Sequence, residues 1–355
     1  MKKRIKQFAN YVNEVPDETY KLVLFQNTNE EIRDVNNSTE KSQLWDIFVK
    51  AAEKTGVEVH RVDFNGLHIE REDGKTFIHS FGFAEFNDKV ELPDAKGTEK
   101  KNLLKPIEIN PENTMIFPRG LGSVGLTNVP HWTDMIAELE LEGYVTIPSL
   151  KCWNICSSKY LTDIHCRRAS LRTPKTIPIT YSDDSPRVAE EFDFPVILKA
   201  STGSQTGVGV LIVESLRSLH STVQMLKLYD PTLSLLVQEF IETKYDVRVI
   251  VVDNQVMGAM KREVIQGSDF RSNVSLGAAS TDFELTDIEV RDSIKAAQAV
   301  EGRFAGVDFI PAKNREKEQP YILEVNSMPG LGGIENIRKG MTQEILQYFK
   351  NRDNW

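Results

Sequence analysis

Cysteine is scarce in this chain, with three in 355 residues, Cys152, Cys156 and Cys166. So small and odd a number excludes a disulfide scaffold and suits a reducing compartment. The spacing C-x3-C-x9-C matches no common zinc finger, and although His165 adjoins Cys166, no second histidine lies nearby. The thiols read instead as small apolar side chains in or near a helix. Long apolar runs are missing too. The run at 249–252 is typical of the longest, and a membrane-spanning helix needs about 20 such residues. Met1-Lys2-Lys3-Arg4 is not followed by the apolar stretch of about 7–15 residues that marks a secretory signal. These absences lead to the expectation of a cytoplasmic protein with no membrane partner. Basic charge is also short, 43 Lys and Arg against 52 Asp and Glu, for a net charge of −9. An acidic chain is a poor electrostatic partner for nucleic acid. The acidic excess is concentrated before residue 150 and could face a basic macromolecule, although a well-solvated surface explains it without one. No internal repeat and no low-complexity tract is present.

What remains is an ordinary globular mix, 40% hydrophobic and 27% charged. At about 150 residues per domain, the length suggests two or three domains. Residues 1–150 read as an α/β domain. Residues 21–26 form an apolar run suited to a buried strand. Leu44, Trp45, Phe48, Val49 and Ala52 recur at helical spacing over 42–54, and 57–62 reads as the next strand. Asp73-Gly74 signals a hairpin between 67–70 and 76–81. The proline-punctuated stretch 93–111 reads as a loop or insertion, 114–118 as a buried strand and 131–142 as a helix. Residues 151–241 form a second unit: a helix over 154–169, strands at 196–200, 210–214 and 235–241, and a helix over 216–228. Residues 242–355 form a third: a hairpin of 246–252 and 255–264 across Asp253-Asn254, a helix over 286–301, strands at 305–311 and 320–326, and a closing helix over 341–349. The fold class expected is α/β, with α+β character in the two later lobes.

Four groups of residues suggest chemistry. Glu324 and Asn326 lie two apart on an apolar strand, so period two puts both on one face. A carboxylate and an amide carbonyl are hard oxygen donors suited to magnesium, and Asp308 on a second apolar strand completes the group if the strands are neighbours. Without a cation, such carboxylates among Val, Ile, Leu and Phe would be costly unless they faced solvent. The glycine-rich stretch 201–209, Ser-Thr-Gly-Ser-Gln-Thr-Gly-Val-Gly, joins two strands. Its small residues would let backbone N–H groups approach phosphate oxygens, yet an ordinary loop has the same composition. Lys199 precedes it with apolar neighbours, as a lysine aimed at an anion would, and Lys159 is a second candidate cation. Residues 238–241 with Asp246-Val247-Arg248 could offer backbone groups to an adenine edge and an acid to a ribose. Lys261-Arg262 with Asp269-Phe270-Arg271-Ser272-Asn273 suit a triphosphate and a carboxylate. Solvated surface charge accounts for either of these last clusters taken alone.

In this order, the segments 196–210, 236–241, 246–252, 269–279 (DFRSNVSLGAA), 305–309 and 323–335 (LEVNSMPGLGGIE), with Pro118-Arg119 and Ser158-Lys159, resemble the ATP-grasp fold, and within it the RimK-type ligases, which add glutamate to the carboxyl terminus of a ribosomal protein. The resemblance covers about 114–340. It implies that Lys159 and Lys199 hold the α- and β-phosphates and that the loop with Gly203, Gln205, Gly207 and Gly209 covers them. Glu239 and Phe240 would meet adenine through their backbones, and Asp246 the ribose. Arg262 and Arg271, as catalytic residues, would serve the phosphates and the incoming carboxylate together with Ser272 and Asn273. Asp308, Glu324 and Asn326 would hold two Mg2+ or Mn2+ ions. Residues 1–113 show no match, Ser268 reads as a one-residue insertion, and the glycine loop is longer than the family's.

The reaction implied is ATP-dependent carboxylate–amine ligation through an acyl phosphate, a protein modification that adds an amino acid, glutamate by resemblance, to a protein or peptide terminus. Three other readings stand beside it: a ligase for a small amino acid or a carrier protein, a phosphotransferase of the same fold, and a nucleotide-dependent regulator without turnover. A homo-oligomer is a further expectation from the resemblance.

Overall fold

The computed structural model describes residues 20–26, 40–64, 67–80, 89–93, 100–104, 106–118, 129–202, 210–263 and 280–355. The amino-terminal unit opens with β1 (Lys21–Gln26), α1 (Glu40–Thr55) and β2 (Glu58–Asp63). The hairpin β3 (His68–Glu72) and β4 (Lys75–His79) follows. Its turn residues Asp73 and Gly74 have φ of 50° and 77°, the left-handed pair that a primed two-residue turn requires. Next come β5 (Lys89–Pro93), β6 (Lys100–Leu104), β7 (Ile107–Ile109), β8 (Thr114–Pro118), α2 (Val129–Leu141) and β9 (Val145–Thr146). The interval 93–111, expected as a loop, therefore carries strands: β6 pairs with β5, and β7 joins β4. In β7, Ile107 and Ile109 are buried and Glu108 is exposed, an alternation too short to register as a period. The main sheet has the parallel order β2-β1-β8-β9. Every residue of β8 is buried, as a parallel strand covered on both faces should be.

The chain continues through α3 (Leu150–Ser157), α4 (Lys159–Arg168), β10 (Thr176–Ile179), α5 (Ser185–Glu191), β11 (Val196–Ala200), β12 (Val210–Val213), α6 (Leu216–Tyr229) and β13 (Leu235–Glu239). One helix was expected over 154–169, but Ser158 divides it. Its backbone is extended, with φ −114° and ψ 115°, and it bridges antiparallel to Thr202. Its hydroxyl accepts the Leu161 N–H at 3.2 Å and so caps α4. The antiparallel sheet β10-β13-β11-β12 packs one face on α5 and α6 through Val188, Leu198, Leu219, Val223 and Val237.

The last unit comprises β14 (Tyr245–Val252), β15 (Gln255–Glu263), β16 (Ser280–Asp282), α7 (Asp287–Ala299), β17 (Phe304–Ile310), β18 (Tyr321–Asn326), α8 (Gly332–Ile337) and α9 (Met341–Lys350). Its sheet has the order β16-β15-β14-β17-β18. Period two sorts β14 cleanly. Val247, Val249 and Val251 face one core, shared with Ala296 and Ala297 of α7 and with Cys152, Ile155 and Cys166 of α3 and α4. The cysteines thus serve as apolar filling, and burial pushes the Cys166 thiol up to about 12. On the opposite face Ile250 and Val252 enter a second core with Leu24, Phe48, Phe117, Phe304, Ile345 and Phe349. That core fuses the amino-terminal unit to the last one. The other half of the same face, at Asp246 and Arg248, is polar. Among the described residues no helix is long and apolar enough to cross a membrane.

Candidate active site

The polar half of that sheet face is set by strand register. Asp246 lies opposite Arg262, Arg248 opposite Asp308, Asp308 opposite Glu324, and Gly306 opposite Asn326. Four strands thus deliver their charged side chains to one patch. A bulge between Asp308 and Phe309 shifts the register of β18, so that Glu324 faces Asp308 while Ile322 still reaches the core.

The charges pair as a ladder. The Arg262 guanidinium donates to Asp246 at 2.6 and 2.9 Å, and its Nη2 lies 3.0 Å from Asp308 Oδ2. Arg248 forks onto Asp308 at 2.7 and 2.6 Å. Asn326 Nδ2 donates to Glu324 Oε1 at 3.1 Å. Asp308 and Arg262 are each 3% exposed, so these forks decide whether burial is tolerable. Burial by itself would raise the Asp308 carboxyl, but Arg248 and Arg262 outweigh it and hold the group well below the usual carboxylate range. Burial likewise works against the Arg262 charge, and Asp308 and Asp246 overcome it, leaving the guanidinium more firmly protonated than usual.

The central sheet faces this patch with its own polar row. Lys199 of β11 donates to Gln238 Oε1 at 2.9 Å, and Gln238 Nε2 donates to Thr176 Oγ1 at 2.8 Å. The Thr176 hydroxyl gives its proton to the Pro174 carbonyl at 2.9 Å, so towards Gln238 it acts as acceptor, which turns the Gln238 carbonyl to the lysine. Lys199 is 8% exposed. Burial brings its ammonium down to about 8, with Glu324 acting to raise it and Lys159 to lower it. Lys159 is brought close by the Ser158–Thr202 bridge and by its own N–H, which donates to the Ser201 carbonyl at 2.9 Å. The two lysines thus lie near enough to repel one another. At the end of β13, the Glu239 N–H donates to the Lys175 carbonyl at 2.8 Å, and its carboxylate accepts the Lys175 N–H at 3.1 Å.

The fold therefore gathers Lys159, Lys199, Asp246, Arg262, Asp308, Glu324 and Asn326 between two sheets, with Glu239 and the adjoining Phe240 at the sheet end. Gly203, Gln205, Gly207, Gly209, Arg271, Ser272, Asn273 and Arg119 lie outside the described residues. Sequence reasoning gave no separate role to Arg248 or Gln238, and Thr176 was missed. The available signal was the register of β14, which puts Arg248 on the face of Asp246. Asp308, Glu324 and Asn326 form a contiguous set of hard oxygen donors and so fit a magnesium or manganese ion in chemistry. Among the described residues no group of three or more His, Cys, Asp and Glu forms such a set; this one has two carboxylates and an amide.

The architecture is that of the ATP-grasp fold. It is similar to a Chryseobacterium gregarium RiPP-associated ATP-grasp ligase in complex with ADP and a leader and core peptide, with TM-score 0.64 and 15% identity over 94% of this chain and 97% of that one. It is also similar to the D-alanine–D-alanine ligase of Bacillus anthracis complexed with ATP, with TM-score 0.59 and 15% identity over 95% and 99% of the two chains. Residues 157–349 match the model of the RimK-like ATP-grasp domain, and the chain belongs to that family. Curated relatives include a probable alpha-L-glutamate ligase of Coxiella burnetii, 39% identical over 182 residues, covering 48% of this chain and 58% of the relative. Another, of the same description, comes from Chromohalobacter salexigens and is 35% identical over 159 residues, covering 44% and 50%. The chain thus spans about half the length of the curated relatives it matches.

Proposed function

We propose that this protein is an ATP-dependent carboxylate–amine ligase that adds an amino acid, glutamate first among candidates, to a protein or peptide terminus. The observation that carries the reading is the pairing of a buried lysine on one sheet, Lys199, with the Asp308–Glu324–Asn326 donor row on the other. That arrangement suits a polyphosphate held between a cation and a metal site. The membership in the RimK-like family and the glutamate-ligase description of the curated relatives support it.

In this reading Lys159 and Lys199 bind the α- and β-phosphates, with the 201–209 loop over them. Because the Glu239 N–H is already engaged by Lys175, an adenine edge would meet the backbone beyond it, at Phe240. Asp246 would accept from the ribose hydroxyls. Asp308, Glu324 and Asn326 would hold magnesium, which supplies charge neutralisation at the phosphates. The substrate carboxylate attacks the γ-phosphorus and ADP leaves. The amine then attacks the acyl carbon of the acyl phosphate and phosphate leaves. Arg262 and Arg271, with Ser272 and Asn273, would orient the phosphates and the incoming carboxylate. No side-chain nucleophile is required, which agrees with thiols committed to a core.

The test is ADP release by the purified chain with ATP and Mg2+, the twenty amino acids and a peptide pool, with products read by mass spectrometry and Glu324→Ala in parallel. A glutamate mass gain on a peptide, lost in the variant, is the expected result. A phosphorylated product without an amide would overturn the ligase reading in favour of a phosphotransferase.

A further inference from the structure

We propose that Arg248 holds the place of a metal ion at Asp308, so that a divalent cation enters this site only together with the nucleotide. The inference rests on the ligase reading, since it takes Asp308, Glu324 and Asn326 as metal donors.

A carboxylate has about four acceptor positions. At Asp308, Oδ1 accepts Arg248 Nε at 2.7 Å. Its Oδ2 accepts Arg248 Nη2 at 2.6 Å, lies 3.0 Å from Arg262 Nη2 and 3.5 Å from Asn326 Nδ2. Oδ2 is thus saturated while Oδ1 keeps one position, so a cation cannot bind through Oδ2 without displacing an N–H group. Arg262 is poorly placed to move, because its side chain is 4% exposed and Asp246 holds two of its N–H groups. Arg248 is freer, with a side chain 19% exposed. Among the described residues its ion pairs are to Asp308 and Glu324, the latter at 3.9 Å, and both are metal donors. Arg248 thus sits over the donor set in the way a cation would.

Charge arithmetic points the same way. Without any ion, Lys159, Lys199, Arg248 and Arg262 already exceed Asp246, Asp308 and Glu324 by one. A dication arriving alone would add uncompensated positive charge in a poorly solvated place. A nucleotide polyphosphate brings the compensating negative charge and gives the released guanidinium a new bidentate acceptor. Metal and nucleotide affinities are then coupled, and the coupling is reciprocal.

The experiment titrates Mn2+ into the full chain and follows free Mn2+ by electron paramagnetic resonance, with and without ADP. Wild-type protein should bind Mn2+ weakly alone and much more tightly with ADP. Arg248→Gln should bind Mn2+ alone about tenfold more tightly than wild type, and the Mn2+–ADP coupling should shrink by a comparable factor. Arg248→Lys keeps a charge but loses the fork and should fall between them. Adding Asp308→Asn to Arg248→Gln should remove the gain. Circular dichroism shows which variants are folded, and Arg248→Lys carries the test if Arg248→Gln is not. A folded variant whose nucleotide-free Mn2+ affinity is unchanged or weaker, while the wild type binds Mn2+ with ADP, overturns this inference alone. A wild type that binds ADP but no Mn2+ overturns the metal assignment and this inference with it.

Discussion

In its proposed role Lys199 meets two requirements that oppose each other, since burial lowers its affinity for a proton while a phosphate needs the proton present. With its ammonium brought down to about 8, it is charged below that pH and loses charge as pH rises through it. ADP affinity should therefore decline above about pH 8, with a limiting slope of about tenfold per pH unit. Titrations between about pH 7 and 9.5 read this directly. Lys199→Arg should remove the dependence, because a guanidinium does not titrate there. Gln238→Glu sets a carboxylate against the ammonium and should move the break to higher pH. For stability the linkage has the opposite consequence. The cost of burying the charge is fully present below about 8 and is relieved as pH rises towards the ordinary value of 10.5. Lys199, Glu324 and Asn326 were legible from apolar neighbours and period two. Arg248 and Gln238 stood in clusters noted for adenine and ribose, but their actual partners depend on register between strands distant in sequence.

Among the elements, the hairpins at Asp73-Gly74 and Asp253-Asn254 were readable because their turn residues adopt positive φ, 50° at Asp73 and 46° at Asp253. Strands β7, β10 and β16 were not, because three or four residues cannot establish a period. The break at Ser158 went unseen since the apolar spacing continues across it. Its cause is tertiary, the bridge to Thr202. Ser158→Ala removes the α4 cap and should lower stability by about 1 kcal/mol in urea unfolding. It should also weaken ADP binding, since Lys159 opens that helix. Gly306 has a similar hidden role. A Cβ there would stand 2.8 Å from Pro329 Cβ, and Gly306 shares its face with Asp308. Gly306→Ala should cost about 1–3 kcal/mol and reduce Mn2+–ADP affinity. Thermal melts and the same titration check both effects.

In the molecule as a whole, two of the three units share one core. Phe117 of β8 meets Phe48, Phe304 and Phe349 with ring centroids 6.2–6.4 Å apart. Phe117→Ala should therefore lower stability by about 3–5 kcal/mol. The loss should appear in the unfolding of the amino-terminal and last units together, by denaturant melts or hydrogen exchange. The central sheet keeps its own core of Ile179, Val188, Leu198 and Val237 and should be less affected. The division at 1–150, 151–241 and 242–355 remains a proposal. The packing of Cys152, Ile155 and Cys166 against the last sheet argues for counting 150–171 with that sheet. Limited proteolysis should then cut near 172–175 and 241–244 rather than at 151.

The sequence alone determined the order of most of the longer strands and helices, the placing of Glu324 and Asn326 on one face, and the lysine before a glycine-rich stretch. Those follow from local periodicity and from the cost of burying charge, which neighbours in the chain suffice to express. Tertiary structure decided which charges meet: that Arg248 and Arg262 converge on Asp308, that Gln238 and Thr176 orient Lys199, and that half of one sheet face is polar while the other half is a core. These outcomes depend on register and on the approach of separate sheets. Each involves residues far apart in sequence, so no local pattern contains them.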